Sequence, residues 1–290
     1  MNVNRTHLIA AMVTVGLVLP GVAMAATIDG GPGDERLRGT KAADIINGNG
    51  GNDRIRGLAG NDRLSGGSGN DRVFGGTDDD AVSGGPGNDW LNGGPGDDSV
   101  SGDANGVGDL TSFDRIFGAS GNDTLKGGDA ADRIHGGSGN DTSFGENGND
   151  RMNGGTGDDA QDGGPGNDTI FANIGQDTSS GGDGNDVLWA LARSDVHPGP
   201  NGETDMNGDK LAGGSGNDVF RTRDGESDQI TCGDGLDLAL LDQADAITDA
   251  TPENQNGSCE MVKRAAPKPK DARSEDAQQR KSDKDERIPS

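Results

Sequence analysis

Along most of the chain an acidic residue recurs every nine positions and is followed, two residues later, by an aliphatic one. The first acidic slots are Glu35, Asp44, Asp53, Asp62, Asp71, Asp80, Asp89 and Asp98, and their apolar partners are Leu37, Ile46, Ile55, Leu64, Val73, Val82, Leu91 and Val100. After an interruption at 102–113 the frame resumes with Asp114, Asp123, Asp132, Asp141, Asp150, Asp159, Asp168, Asp177, Asp186 and Asp195. A second interruption near 199–207 precedes Asp209 and Asp218. A fixed short period predicts a solenoid, in which each unit buries its apolar residue only against its neighbours. Each nonapeptide divides into a six-residue glycine-rich loop and a strand of three, whose alternation turns one aliphatic side chain inward and its two flanking residues outward. Glycine is costly inside helices and strands alike, so propensity alone does not hold such loops. An aspartate facing stacked backbone carbonyls is a set of hard oxygen ligands, and that chemistry suits Ca2+.

The full loop motif GGxGxD stands at Gly66–Asp71, Gly84–Asp89, Gly93–Asp98, Gly136–Asp141, Gly154–Asp159, Gly163–Asp168, Gly181–Asp186 and Gly213–Asp218. In these copies the chain resembles the RTX, or hemolysin-type, calcium-binding nonapeptide repeat proteins, over roughly residues 30 to 221. The resemblance implies an all-β fold, a right-handed parallel β-roll in which two nonapeptides make one turn and calcium ions sit between loops two repeats apart. It implies Asp53, Asp71 and Asp89 as calcium ligands on one edge of the first block, with Asp44, Asp62, Asp80 and Asp98 on the other. In the second block it implies Asp132, Asp150, Asp168 and Asp186 on one edge and Asp123, Asp141, Asp159 and Asp177 opposite, followed by Asp218. Glu35 replaces the first aspartate, and Asp78 and Ala130 replace the third loop glycine, so those loops are expected to bind weakly or not at all.

Positions 18 apart stack on one sheet, about 4.8 Å from strand to strand. In the second block one inward column is apolar (Ile116, Ile134, Met152, Ile170, Leu188), whereas the other reads Leu125, Ser143, Gln161, Ser179, His197. That block is therefore expected to be the less stable and the more calcium-dependent, with His197, beside Pro198, marking a strand end rather than a ligand. Outward positions of one sheet in the first block are Arg36, Arg38, Arg54, Arg56, Arg72, Phe74 and Trp90, and the second block continues with Arg115, Arg133, Arg151, Phe117, Phe171 and Trp189. The two sets share a side if the first interruption merely lengthens one turn. Stacked like charges repel, so the arginines either soften the field of the acidic loops and cover apolar surface with their stems, or meet an anionic partner. Arg36, Arg54, Arg72, Trp90, Arg115, Arg133 and Arg151 are the candidate ligand-binding residues, for an anionic extracellular polysaccharide or cell-surface component.

Composition sharpens this picture. With 54 glycines and 11 prolines in 290 residues, 29% hydrophobic residues and a net charge of −25, the chain has the profile of a disordered protein unless repetition and a bound cation order it. Arg5, the apolar run Leu8 to Leu19 and Ala23-Met24-Ala25 read as a signal peptide over 1–25, cleaved after Ala25, with an uncleaved anchor as the alternative. Export to the extracellular medium makes a Cys232–Cys259 disulfide the default, and two free thiols the alternative. The blocks are then 26–101 and 114–221. From Asp228 the frame decays, and residues 222–262 look like the cysteine-locked closing cap of secreted bacterial calcium-repeat proteins. The tail 263–290 mixes 9 basic with 6 acidic residues and is expected to be disordered. HExxH and GxSxG are absent from the sequence, and calcium ligation accounts for the carboxylates, so the expected function is calcium binding in a surface or matrix-binding module rather than catalysis. Partners other than calcium and a surface glycan are not implied: no nucleic acid, and no membrane span in the mature chain. Polysaccharide binding or modification on the arginine face is the alternative.

Overall fold

The aliphatic slots all turn inward. Leu37, Ile46, Ile55, Leu64, Val73, Val82, Leu91 and Val100 are each 5% exposed or less, while their outward neighbours are half-buried or exposed. The computed structural model describes residues 12–15, 24–103, 112–190, 207–252 and 254–266, and all regular elements among them are strands. They form an all-β parallel solenoid, successive strands alternating between two sheets.

Two compact units divide the chain, Met1–Ile134 and His135–Ser290. In the first, Leu37, Ile55, Val73, Leu91 and Ile116 pair in register along one sheet. Ile46, Leu64, Val82, Val100 and Leu125 do so along the other. Each side chain in these columns packs on residues one turn away, and full burial of an aliphatic side chain contributes roughly 1.5–3 kcal/mol. The 102–113 interruption lengthens a turn without shifting register, because Trp90 pairs with Arg115 and Val100 with Leu125. Strands run longer than the three residues expected. Arg54–Ala59 and Arg72–Thr77 have six each, and Leu58 pairs with Gly76 inside the loop motif. Left-handed backbone makes this possible: Gly67 (φ 102°) and Gly69 (φ 129°) show the two loop slots that need it. Leu58 (φ 98°) and Ala119 (φ 91°) take the same conformation with a side chain attached, a strain on the order of 1 kcal/mol or more that the flanking pairing sustains.

In the second unit Met152, Ile170, Leu188, Phe220, Ala239 and Val262 form the apolar column. The facing column reads Ser143, Gln161, Ser179, Leu211, Ile230 and Ile247. Leu211 takes the place expected for His197, because the ladder passes over the second interruption; His197 and Asp195 lie outside the described residues. Gln161 and Ser179 in the polar stretch satisfy each other, whereas the Ser143 hydroxyl is buried without a hydrogen bond. In the amide orientation that serves both ends, Gln161 donates to Ser179 Oγ (3.1 Å) and the Phe171 carbonyl (3.2 Å) and accepts from Gly154 N–H (3.0 Å).

The frame that decays in the sequence from Asp228 persists in space. Spacing widens by one residue, pairing Leu211 with Ile230 and Phe220 with Ala239, and Ala246–Ile247 and Met261–Arg264 add two further strands. Lys263 and Arg264, assigned to the charged tail by sequence, thus belong to the last strand; residues 267–290 are outside the described residues. Phe220, Leu211, Ile230, Ala239, Leu241 and Ile247 pack around Cys232 and Cys259, which form a disulfide. Of residues 1–25, Met12–Val15 pairs antiparallel with Ala26–Asp29, and most of the remainder lies outside the described residues.

Candidate metal centre

Each aspartate of the frame sits where a loop becomes a strand, and the 18-residue turn stacks it on its equivalent. In the first unit Asp53 N–H donates to Asp71 Oδ1, Asp71 N–H to Asp89 Oδ1, and Asp89 N–H to Asp114 Oδ1, each at 2.7 Å. Asp114 N–H continues the row to Asp132 Oδ1 at 2.8 Å. The opposite edge runs Asp44, Asp62, Asp80, Asp98, Asp123 in the same manner. In the second unit the rows are Asp150, Asp168, Asp186, Asp218 and Asp141, Asp159, Asp177, Asp209. The sixteen predicted ligands therefore fall into edge rows, and Asp114 and Asp209 hold equivalent places.

All of these carboxylates are 3% exposed or less. The ladder uses one oxygen of each. The other, Oδ2, is buried without a hydrogen-bond partner in Asp53, Asp62, Asp71, Asp80, Asp89, Asp98, Asp114, Asp159, Asp168, Asp186, Asp209 and Asp218. Asp44 differs, since Thr40 N–H donates to its Oδ2 at 2.5 Å and the Thr40 hydroxyl to its Oδ1 at 3.1 Å. A Cβ built on Gly48 would meet both Asp53 Oδ2 and the Gly66 carbonyl oxygen; on Gly66 it would meet Asp71 Oδ2 and the Gly84 carbonyl, and on Gly163 it would meet Asp168 Oδ2 and the Gly181 carbonyl. The first glycine of the motif is needed for space, and the space it leaves is ringed by carboxylate and carbonyl oxygen. Among the described residues no three His, Cys, Asp or Glu side chains already converge on a point. A hard cation does not require that, because backbone carbonyls and water are full members of its oxygen shell. The residues present therefore fit Ca2+.

The family model of the RTX calcium-binding nonapeptide repeat, four copies to the model, matches residues 29–64, 47–82, 74–105, 111–143, 144–161, 162–188 and 205–226. The chain belongs to this family. RTX nonapeptide repeats bind multiple Ca2+ ions. No curated protein matches the chain.

Burial of the RTX loop carboxylates has an electrostatic consequence. Desolvation pushes Asp89 up to about 9, with the charges of Asp114 and Asp71 adding to it and the Asp71 N–H opposing it. Asp53 and Asp62 rise to about 6, Asp80 and Asp168 to about 7, and Asp159 to about 8, burial again leading. In an RTX roll with no cation in its loops, burial thus disfavours the charged form of these carboxylates.

Two features of the RTX loops escaped the sequence reading. The residue before each aspartate builds a second ladder: Asn70 N–H donates to Asn52 Oδ1, Asn88 N–H to Asn70 Oδ1, and Phe113 N–H to Asn88 Oδ1, at 2.8, 2.8 and 2.7 Å. The recurrent Asn-Asp dipeptide was the available signal. Acids past residue 221 also extend the rows, Asp209 N–H donating to Asp228 Oδ1 and Asp218 N–H to Asp237 Oδ1, both at 2.8 Å. Asp237 N–H then donates to Glu260 Oε2 at 2.8 Å.

The arginine face is real but is interleaved with aromatic rings. Arg36, Arg54, Arg72, Trp90 and Arg115 stand in register in the first unit. Trp90 is half-buried between Phe74 and Phe117, with ring centroids 4.8 and 5.2 Å away. The Arg54 and Arg56 guanidinium carbons lie 5.6 Å from the Phe74 ring, and those of Arg115 and Arg133 lie 5.3 Å from Phe113. In the second unit Arg151 lies 4.4 Å from Phe171 and Arg221 4.6 Å from Trp189, and the two rings stack at 5.8 Å. Phe171 and Trp189, expected to face outward, are only 2% and 9% exposed, because each ring is roofed by a guanidinium and by the other ring. Cation–π contact, worth roughly 0.5–1 kcal/mol at exposed sites, offsets part of the repulsion between arginines.

Proposed function

We propose that the protein is an exported calcium-binding roll whose aspartate rows and first-glycine carbonyls take up Ca2+ between turns, and that it serves as a surface or matrix-binding module in a calcium-rich medium. The observation that carries this reading is the set of buried, unpartnered Oδ2 atoms in Asp53, Asp62, Asp71, Asp80, Asp114, Asp168 and Asp186, each sharing with a glycine carbonyl the space that a Cβ on the first loop glycine would fill. Ions in those gaps would neutralise the acidic rows and couple folding to metal binding. Ala23-Met24-Ala25 and the Cys232–Cys259 disulfide support export. Among the described residues no helix is long and apolar enough to cross a membrane. Binding, not catalysis, is the role assigned to the carboxylates. The test is far-UV circular dichroism of residues 26–290, titrated with calcium from an EDTA-treated start. Calcium is expected to produce a cooperative rise in β signal that magnesium at equal concentration does not. Full β signal in EDTA, unchanged by calcium, would remove the basis of the reading.

A second reading is favoured by one observation. Arg36, Arg54, Arg72, Trp90 and Arg115 line a single groove in the first unit together with Asn52, Asn70 and Asn88 and with the acids Asp34, Glu35, Asp53, Asp71 and Asp89, whose charge calcium in the loops would offset. Guanidinium forks spaced along a groove suit the carboxylates or sulfates of an extended acidic glycan. Replacing Arg36, Arg54 and Arg72 by serine is expected to abolish retention on a sulfated-glycan column while leaving the calcium response intact. Retention equal to the wild type would exclude the groove as the glycan site.

A further inference from the structure

Past the last GGxGxD loop, the second unit gathers three acids that the nonapeptide frame does not explain, Asp224, Asp242 and Asp245, around Asp228, which extends an edge row. Asp224 follows the strand Val219–Thr222, Asp228 opens the strand Ser227–Asp234, and Asp242 and Asp245 lie in the turn between Leu238–Leu241 and Ala246–Ile247. All four are at least nine-tenths buried: Asp224 is 9% exposed, Asp228 0%, Asp242 1% and Asp245 6%.

Hydrogen bonds draw the two turns together. Asp245 Oδ2 accepts from the Thr222 hydroxyl and from Asp242 N–H, both at 2.7 Å, and Asp228 N–H reaches Asp245 Oδ1 at 3.4 Å. Asp224 Oδ1 accepts from Glu226 N–H at 2.9 Å and Asp242 Oδ1 from Ala244 N–H at 2.7 Å. The second oxygens of Asp224, Asp228 and Asp242 are buried and accept no hydrogen bond. The cation at this turn, Arg264, places Nη1 on the main-chain carbonyls of Asp242 and Asp245, at 3.1 and 3.0 Å. The three orphaned carboxylate oxygens of Asp224, Asp228 and Asp242 are buried, and removing charge from water without a positive partner is strongly unfavourable.

We propose that Asp224, Asp228, Asp242 and Asp245 form a divalent-cation site outside the nonapeptide loops, filled by Ca2+, which clamps the 222–228 turn to the 242–245 turn. An all-oxygen donor set of irregular shape, with no nitrogen or thiolate, selects Ca2+ over zinc and over the strict octahedron of Mg2+. As in the repeat loops, carbonyls and water complete the shell, since no three carboxylates already converge among the described residues. The site closes the final turns beside the disulfide that holds Cys232 and Cys259.

The test uses the full chain with Asp224→Asn and Asp242→Asn, two positions outside the GGxGxD frame. Calcium bound per chain is counted by equilibrium dialysis with atomic emission, beside the wild type and an Asp71→Asn loop control. The double variant is expected to lose one ion, keep the calcium-driven circular dichroism transition, and lose the amide-exchange protection that calcium gives residues 222–247. An unchanged ion count overturns the site. If the double variant does not regain β signal in calcium, Asp242→Asn alone decides: protection of 242–248 by calcium is expected to fall at least tenfold, and protection equal to the wild type overturns the site. A wild type that shows no folding transition but binds one ion, lost in the variant, would sustain this site while overturning the reading of the repeats.

Discussion

In EDTA the chain is expected to hold more β structure at pH 4 than at pH 8, the reverse of an ordinary acid-denatured protein. The loop carboxylates are raised by burial from 3.8 to about 6 in Asp53, about 7 in Asp80, about 8 in Asp159 and about 9 in Asp89 and Asp209. A group whose folded pKa lies above its unfolded value contributes stability that is fully present below the unfolded pKa and is lost as pH rises through the folded one. The metal-free roll should therefore weaken from about pH 4 upward, and the loss should level off only by about pH 9, as one carboxylate after another must ionise inside the stack. Calcium and protons compete for the same oxygens, so the calcium concentration at half-transition should be at least tenfold lower at pH 8 than at pH 6. Circular dichroism titrations at the two pH values check both statements. A calcium midpoint independent of pH would mean that the carboxylates are already ionised without metal, and that their burial is not what couples folding to the ion.

Replacing Cys232 and Cys259 by serine is expected to lower stability of the calcium-loaded second unit by about 3–4 kcal/mol, the loop-closure value for a 27-residue separation. Both cysteines lie in the apolar cluster with Phe220, Leu211 and Ile230, and two buried hydroxyls would add a penalty of their own. The check is the urea midpoint in saturating calcium, for the variant and for the wild type with and without reductant. A midpoint that moves in neither case would show that the last turns hold without the cross-link.

Much of this architecture is legible in the sequence because a solenoid writes one spatial rule many times. Asp53, Asp71 and Asp89 stack because they are 18 apart, and Ile55, Val73 and Leu91 are buried for the same reason. What was not legible follows from effects that period alone does not encode. Six-residue strands depend on left-handed backbone at Leu58 and Ala119, which side-chain pattern disguises. The burial of Phe171 and Trp189 depends on Arg151 and Arg221 folding over them, a contact between turns that outward alternation does not reveal. Past Asp218 a single added residue breaks the nine-residue count but leaves the ladder whole, so Asp228 and Asp237 dropped out of the reading while keeping their places in space. His197 was placed in a column by counting, whereas pairing gives that place to Leu211.

The hydrogen bond between stacked aspartates is the same whether 18 residues separate them, as from Asp71 to Asp89, or 25, as from Asp89 to Asp114, or 32, as from Asp186 to Asp218. Rungs are thus counted by geometry rather than by chain length. Extra sequence can leave the stack at a loop and rejoin it one rung on, with only a slowly growing entropic penalty for its length. Sequence inserted between Val100 and Asp114, or between Ala190 and Asp209, is accordingly expected to be tolerated, so a foreign peptide or a small domain grafted in either interval should leave the pairing of Asp89 with Asp114 and of Asp186 with Asp218 unchanged.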